Sequence, residues 1–156
     1  MVIGIDHFSK EEVVRASGAE LFFDAMAPTQ ETVNAVTGET KGLGVHAVVV
    51  CAGSHSAYAQ GVDLLRPGGI LVGVGMPAGP PVPIASANPG LIVRKELKIA
   101  GSILGNRQDA IDVLDLAARG IIKVHYELRS LDELTQVFQD MKAGSLVGRI
   151  VLNLQA

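Results

Sequence analysis

The sequence predicts an α/β fold built as a doubly wound parallel sheet. Three observations carry that expectation. Unbroken Val/Ile/Leu runs alternate with helical stretches along the chain. Glycine is frequent, 18 of 156 residues against a usual share of about 7%, and it punctuates those runs as βα turns do. Aromatic residues are scarce at 4%, with no tryptophan, which speaks against an aromatic-rich sandwich. The 48% apolar and 19% charged content excludes a disordered chain.

The elements follow in order. Met1–Asp6 reads as a short buried strand. Ser9 opens a helix with Glu12 three residues on, the spacing of a capping box, and Val13, Val14 and Ala16 lead to Gly18 as its stop. Leu21–Asp24 is a second strand, 28–38 a helix, and Val45–Cys51 the strongest strand signal in the chain. Ser54–Leu65 is helical and ends at Arg66-Pro-Gly-Gly69, a turn by composition. Ile70–Val74 is a strand, Gly75–Pro83 a Gly/Pro-rich loop, and a helical stretch after Pro89 leads to a strand at Leu97–Ser102. Asn106–Arg119 is an amphipathic helix with Ile111, Leu114 and Ala118 on one face. Residues 122–128 read as extended, Ser130 caps a helix through Lys142, and Gly148–Leu152 closes as a strand. A weak boundary falls near Gly105, dividing 1–105 from a helix–strand–helix–strand tail at 106–156.

Charge and composition narrow the function. The net charge is −3 with the cations scattered, so no basic stripe is present to neutralise a nucleic-acid backbone. The apolar runs break well short of the roughly 20 residues of a membrane span. Cys51 is the single cysteine, which excludes an internal disulfide. The N-terminus lacks the basic region of a signal peptide, and the expected setting is cytoplasmic. His7, His55 and His125 have no partners at metal-ligand spacing, and His46 fits a core or sheet-edge role, so no metal site is expected. Gly42-Leu-Gly44 precedes a strand instead of joining a strand to a helix, and is a decoy for a dinucleotide turn.

The candidate binding residues sit at strand ends. Asp6 ends the first strand, where an acidic side chain can accept from ribose hydroxyls; a turn-serving Asp looks the same. Cys51, Ala52 and Gly53 follow the strongest strand, and their small size lets a flat ring approach the backbone. Gly73–Gly79 leaves another strand end in the same way, as many βα turns do. No paired-carboxylate, Cys/His or nucleophile-elbow arrangement is present, so no catalytic residue is assigned.

The order of fragments carries more. Val2-Ile-Gly-Ile-Asp6, Gly18-Ala-Glu20, Phe23-Asp24, Leu71-Val-Gly-Val-Gly-Met-Pro-Ala-Gly79, Gly101-Ser-Ile-Leu-Gly-Asn-Arg107 and Val147-Gly-Arg-Ile-Val151 occur in sequence. Together they resemble the C-terminal part of zinc-type medium-chain alcohol dehydrogenases, the yeast-like group in particular, over essentially the whole chain. The resemblance implies a Rossmann-type NAD-binding domain at 1–105 and, at 106–156, a segment that returns to the catalytic domain. It implies that Asp6 and Lys10 contact the adenosine ribose, although the loop before Lys10 is one residue shorter than the family pattern. Val74 and Met76, with Ser102 and Leu104, match the backbone that holds the nicotinamide carboxamide. Arg149 matches the arginine that pairs with the cofactor pyrophosphate, while alone it would read as a solvated strand-end charge. Val82–Ala85 resembles the strand through which this family's dimers join, so a homo-oligomer is expected.

The family's Gly-x-Gly-x-x-Gly turn and its zinc-bearing domain have no counterpart in this sequence and are expected upstream of Met1. The sheet is therefore expected to lack its first strand and helix, and the chain to be catalytically incomplete alone. NAD is the cofactor and a small alcohol or aldehyde the substrate of the intact enzyme, where zinc is also expected. Rival readings are a zinc-free quinone reductase-like oxidoreductase, a methyltransferase suggested by Leu65–Leu71, and a non-catalytic nucleotide-binding or oligomerisation module.

Overall fold

The computed structural model describes residues 1–154. The strands are β1 (Ile3–Asp6), β2 (Leu21–Asp24), β3 (Val45–Val50), β4 (Leu65–Gly73), β5 (Lys98–Gly101), β6 (Tyr126–Ser130) and β7 (Arg149–Asn153). The α-helices are α1 (Glu11–Ala16), α2 (Thr29–Glu39), α3 (His55–Leu64), α4 (Pro89–Lys95), α5 (Arg107–Ala118) and α6 (Leu134–Ala143). All pairings between these strands are parallel, as expected of an α/β chain. Two compact units result: Ala25–Leu104, and Met1–Asp24 together with the chain from Gly105 onward. No helix among the described residues is long and apolar enough to cross a membrane.

The 25–104 unit is a three-stranded sheet, β3-β4-β5, with Val48 opposite Leu71 and Val72 opposite Ala100. Val50, Val62, Leu65, Leu71 and Leu97 form its core, with Val48, Tyr58, Ile84 and Leu91 packed around them. α3 comes close to the sheet at Gly61, where an added Cβ would lie 3.0 Å from Leu71 Cδ1 and 3.1 Å from Val48 Cγ1. The turn expected at Arg66–Gly69 lies inside β4. Leu65 pairs with Val45 and Ile70 with Ala47, so four residues on one strand oppose one on the other. Pro67 has no N–H for a ladder, and Gly68 adopts φ +73°, so these residues fold out as a bulge and pairing resumes.

The second unit holds two smaller sheets. β1 pairs with β2, setting Asp6 opposite Asp24, and β6 pairs with β7. Gly4 lets α1 lie on β1, because a Cβ there would overlap Val14 Cγ1. Arg129 on β6 ties the second sheet to α6, donating from Nη1 to Asp140 Oδ2 at 2.8 Å and from Nε to Glu127 Oε1 at 2.9 Å. The Arg129 bond to Asp140 holds that carboxyl below its usual range, helped next by Gln136, whose Nε2 donates to Asp140 Oδ1 at 2.8 Å.

Two local expectations are corrected, and the expected α5 helix forms with its apolar stripe exposed. Ser9 does not cap the first helix: a 3₁₀ turn at Phe8–Lys10 comes first, capped by the His7 ring, whose Nδ1 accepts from Ser9 N. The strand placed at 122–128 begins only at Tyr126, because residues 120–125 complete the turn out of α5, where Ile121 and Ile122 N–H both reach back to Leu116 O. The apolar face of α5 is not covered within its unit, with Ile111 51% and Leu114 68% exposed. Ser130 forms a reciprocal capping box with Glu133, but on a 3₁₀ turn at Leu131–Glu133 that precedes α6, so the α-helix itself starts four residues after Ser130.

Candidate functional site

In the 25–104 unit, the three parallel strands end on one edge of the sheet, where ligands of open α/β sheets bind. These ends are joined backbone to backbone. Val50 O accepts from both Val74 N (3.0 Å) and Gly75 N (2.9 Å), and Gly73 O accepts from Ser102 N at 2.9 Å. The residues leaving β3 lie against those leaving β4. A Cβ on Gly75 would overlap Ala52 O and lie 2.5 Å from Cys51 O, and one on Gly53 would lie 3.0 Å from Met76 O. Glycine is thus required at Gly75 for the two chains to approach. Six of the candidate residues, Cys51, Ala52, Gly53, Val74, Met76 and Ser102, are therefore brought onto one strand-end platform.

Leu104 follows two residues after Ser102, 93% exposed and at φ +54°, a left-handed conformation that a leucine adopts only at a cost. Val74 and Ser102 both spend their N–H groups inside the platform. Tyr58, which sequence reasoning passed over, reaches from α3 to donate its hydroxyl to Gly75 O at 2.5 Å. The signal was available as a lone tyrosine on the sheet-facing side of a helix, just before a glycine-rich strand end. A cleft of about 420 Å³ opens beside the platform, lined by His55, Tyr58, Met76, Pro77 and Ile84 among others.

The remaining candidates lie in the other unit. Asp6 is at the carboxyl end of β1, where its Oδ1 accepts from His7 N at 2.7 Å and stands 3.9 Å from Lys10 Nζ. Lys10 and Arg149, far apart in sequence, line one cleft of about 480 Å³ whose other walls include Val137, Phe138, Met141 and Leu152. Arg149 is held there by its own N–H, which donates to His125 O at 2.9 Å. Gly148 just before it has φ +81° and passes so near His125 O that no Cβ would fit. Two cations over an apolar floor suit an anionic ligand with a nonpolar part. Among the described residues, no group of three or more His, Cys, Asp or Glu side chains could hold a metal ion. Zinc therefore has no ligand set here, and no chemistry is assigned to it.

Comparison with known proteins gives the geometry a context. The alcohol dehydrogenase 2 of Emericella nidulans is 48% identical over 98% of this chain and 43% of its own length. The alcohol dehydrogenase of Schizosaccharomyces pombe is 37% identical over 93% of this chain and 40% of its own. Among solved structures, an alcohol dehydrogenase from the archaeon Aeropyrum pernix superposes with a TM-score of 0.84 at 27% identity, covering 98% of this chain and 42% of that one. The chain thus spans less than half the length of these relatives. Residues 1–119 match the family described as zinc-binding dehydrogenase, and the chain belongs to that family.

Proposed function

We propose that this chain is the cofactor-holding segment of an NAD-dependent, zinc-type alcohol dehydrogenase, the whole protein converting a small alcohol to an aldehyde or ketone. The observation that carries the reading is the strand-end platform, where the backbones leaving β3, β4 and β5 are hydrogen-bonded together at one edge and glycine at Gly75 is required for their close approach. A planar carboxamide could donate its NH₂ to the carbonyls of Val74 and Ser102, with Met76 and Leu104 beside it and the small residues Cys51, Ala52 and Gly53 leaving room for a flat ring. NAD would supply the hydride acceptor. In the other unit, Asp6 would accept from the ribose hydroxyls, Lys10 would stand by it, and Arg149 would pair with pyrophosphate, for which a planar and permanently charged guanidinium is suited.

The Asp6 carboxylate favours NAD over the NADP of the quinone reductase-like alternative, since it would repel a 2′-phosphate. Further parts of the proposal are an NAD-binding domain at 1–105, a tail at 106–156 that returns to a catalytic domain, a homo-oligomer, and a cytoplasmic setting that suits the lone free Cys51. Thermal unfolding with NAD, NADP or S-adenosylmethionine tests the reading, because a ligand of the folded state raises the midpoint. NAD alone is expected to do so, and a rise with S-adenosylmethionine instead would overturn it. The chain by itself is expected to form no NADH from ethanol with added zinc, followed at 340 nm.

A further inference from the structure

We infer that Tyr58 is a positioning residue for the nicotinamide end of the site, setting the direction of the Gly75–Met76 peptide. The inference rests on the NAD reading above and adds a residue to it. Gly75 is gripped from two sides. Its N–H donates to Val50 O on the sheet, and its carbonyl accepts from the Tyr58 hydroxyl on α3. A trans peptide is planar, with its N–H pointing opposite to its C=O. The first grip therefore aims the Val74 carbonyl away from Val50. The second aims the Met76 N–H away from Tyr58.

Without that second grip, little else would fix the Gly75–Met76 plane. Gly75 has no Cβ, and a glycine ψ rotation of this kind meets few steric walls. The platform needs glycine at this point for the close approach of Cys51 and Ala52, and glycine brings with it the freedom to flip the next peptide. Tyr58 removes that freedom. Its ring is packed against the core formed by Val50, Val62, Leu65, Leu71 and Leu97, so the hydroxyl is delivered from a rigid base. Gly73 completes the fit, since a Cβ there would lie 2.8 Å from the Tyr58 hydroxyl. Two glycines and one tyrosine thus act as a unit.

Tyr58→Phe removes one oxygen and keeps the ring, and the readout is the ratio of affinities for NADH and for ADP-ribose, which lacks the nicotinamide. Both are titrated by saturation-transfer NMR on the full chain, with the unfolding midpoint recorded alongside. NADH affinity is expected to fall about tenfold, the scale of one hydrogen bond of about 1.4 kcal/mol, while ADP-ribose affinity holds. The Met76 amide resonance is expected to shift in the same variant. Ser86→Ala serves as the control, because Ser86 Oγ donates to Ala59 O at 2.6 Å and ties the same loop to the same helix without touching Gly75. It should leave the ratio unchanged. An unchanged ratio in Tyr58→Phe, an equal loss for both ligands, or the same change in Ser86→Ala would overturn the positioning role. Failure of the unaltered chain to bind NADH would instead overturn the NAD reading, and this inference with it.

Discussion

The two units use the same kind of parallel pairing and differ in what they bury. The 25–104 unit contains Val36, Val50, Val62, Leu64, Leu65, Leu71 and Leu97 as buried apolar residues, whereas the unit formed by the chain ends buries only Val137 among the described residues. Both carry candidate ligand residues, so the contrast is one of support. The platform rests on a packed core that has already excluded water. Asp6 and Arg149 stand on two-stranded sheets, and Lys10 on the 3₁₀ turn that follows one of them, all held by salt bridges, caps and partial burial, and such sheets are marginal alone. Rigidity is thus concentrated where backbone groups must be aimed, and the charged residues sit on the more yielding part.

The largest test of this contrast pairs two leucines. Leu71→Ala, at a fully buried position, is expected to cost about 3 kcal/mol in urea unfolding, while Leu128→Ala, at 63% exposure, costs less than about 0.5 kcal/mol. Comparable losses would mean that the chain-end unit carries its share of the core. Next comes Asp6→Gly, for which the preference for NAD over NADP in direct titration should shrink by about ten- to hundredfold, at about 1.4 kcal/mol per tenfold. An unchanged ratio would leave Asp6 a turn residue.

Smaller effects sharpen the picture. Thr32 is buried on α2 with its hydroxyl unpartnered, so Thr32→Val should raise stability by about 1 kcal/mol in the same unfolding assay. The smallest is acid sensitivity in the chain-end unit. Asp140 titrates lower folded than unfolded, so its contribution is present above the unfolded carboxyl value of about 3.9 and is lost as pH falls through the folded value. Amide exchange of β6 and α6 should quicken below that pH, and Asp140→Asn should abolish the dependence by removing the contribution at every pH.

Much of the fold was legible because a buried parallel strand writes itself as an unbroken apolar run. Ile70–Gly73 is such a run and Val45–Val50 is one broken only by His46, while Lys98–Gly101, an exposed strand that opens with a lysine, also stands where a strand was expected. What depended on a second element was not legible. Ser9 has the spacing of a cap, but the His7 ring competes for the same turn from two residues earlier. Gly53, Gly73 and Gly75 were visible as turn formers, and their actual reason, the approach of another backbone or of Tyr58, exists only once the strands pair. Lys10 and Arg149 were identified through resemblance, since no local pattern links residues so far apart to one cleft. The α5 face shows the limit of periodicity, which marks an apolar stripe and says nothing of what covers it.

The bulge in β4 has a consequence for how this sheet can be altered. Pairing runs from Leu65 to Ile70 across Arg66–Gly69 without passing through them, so the ladder on either side does not count the residues between. Strand length and strand register are decoupled at this point. A peptide inserted after Gly68, whose Cα faces open space, would lengthen the excursion and leave Leu71, Val72 and Gly73 opposite the same partners. This makes the bulge the natural graft point for a probe or epitope at the far end of the strand from the platform, where chain length can change and the aim of the strand end cannot.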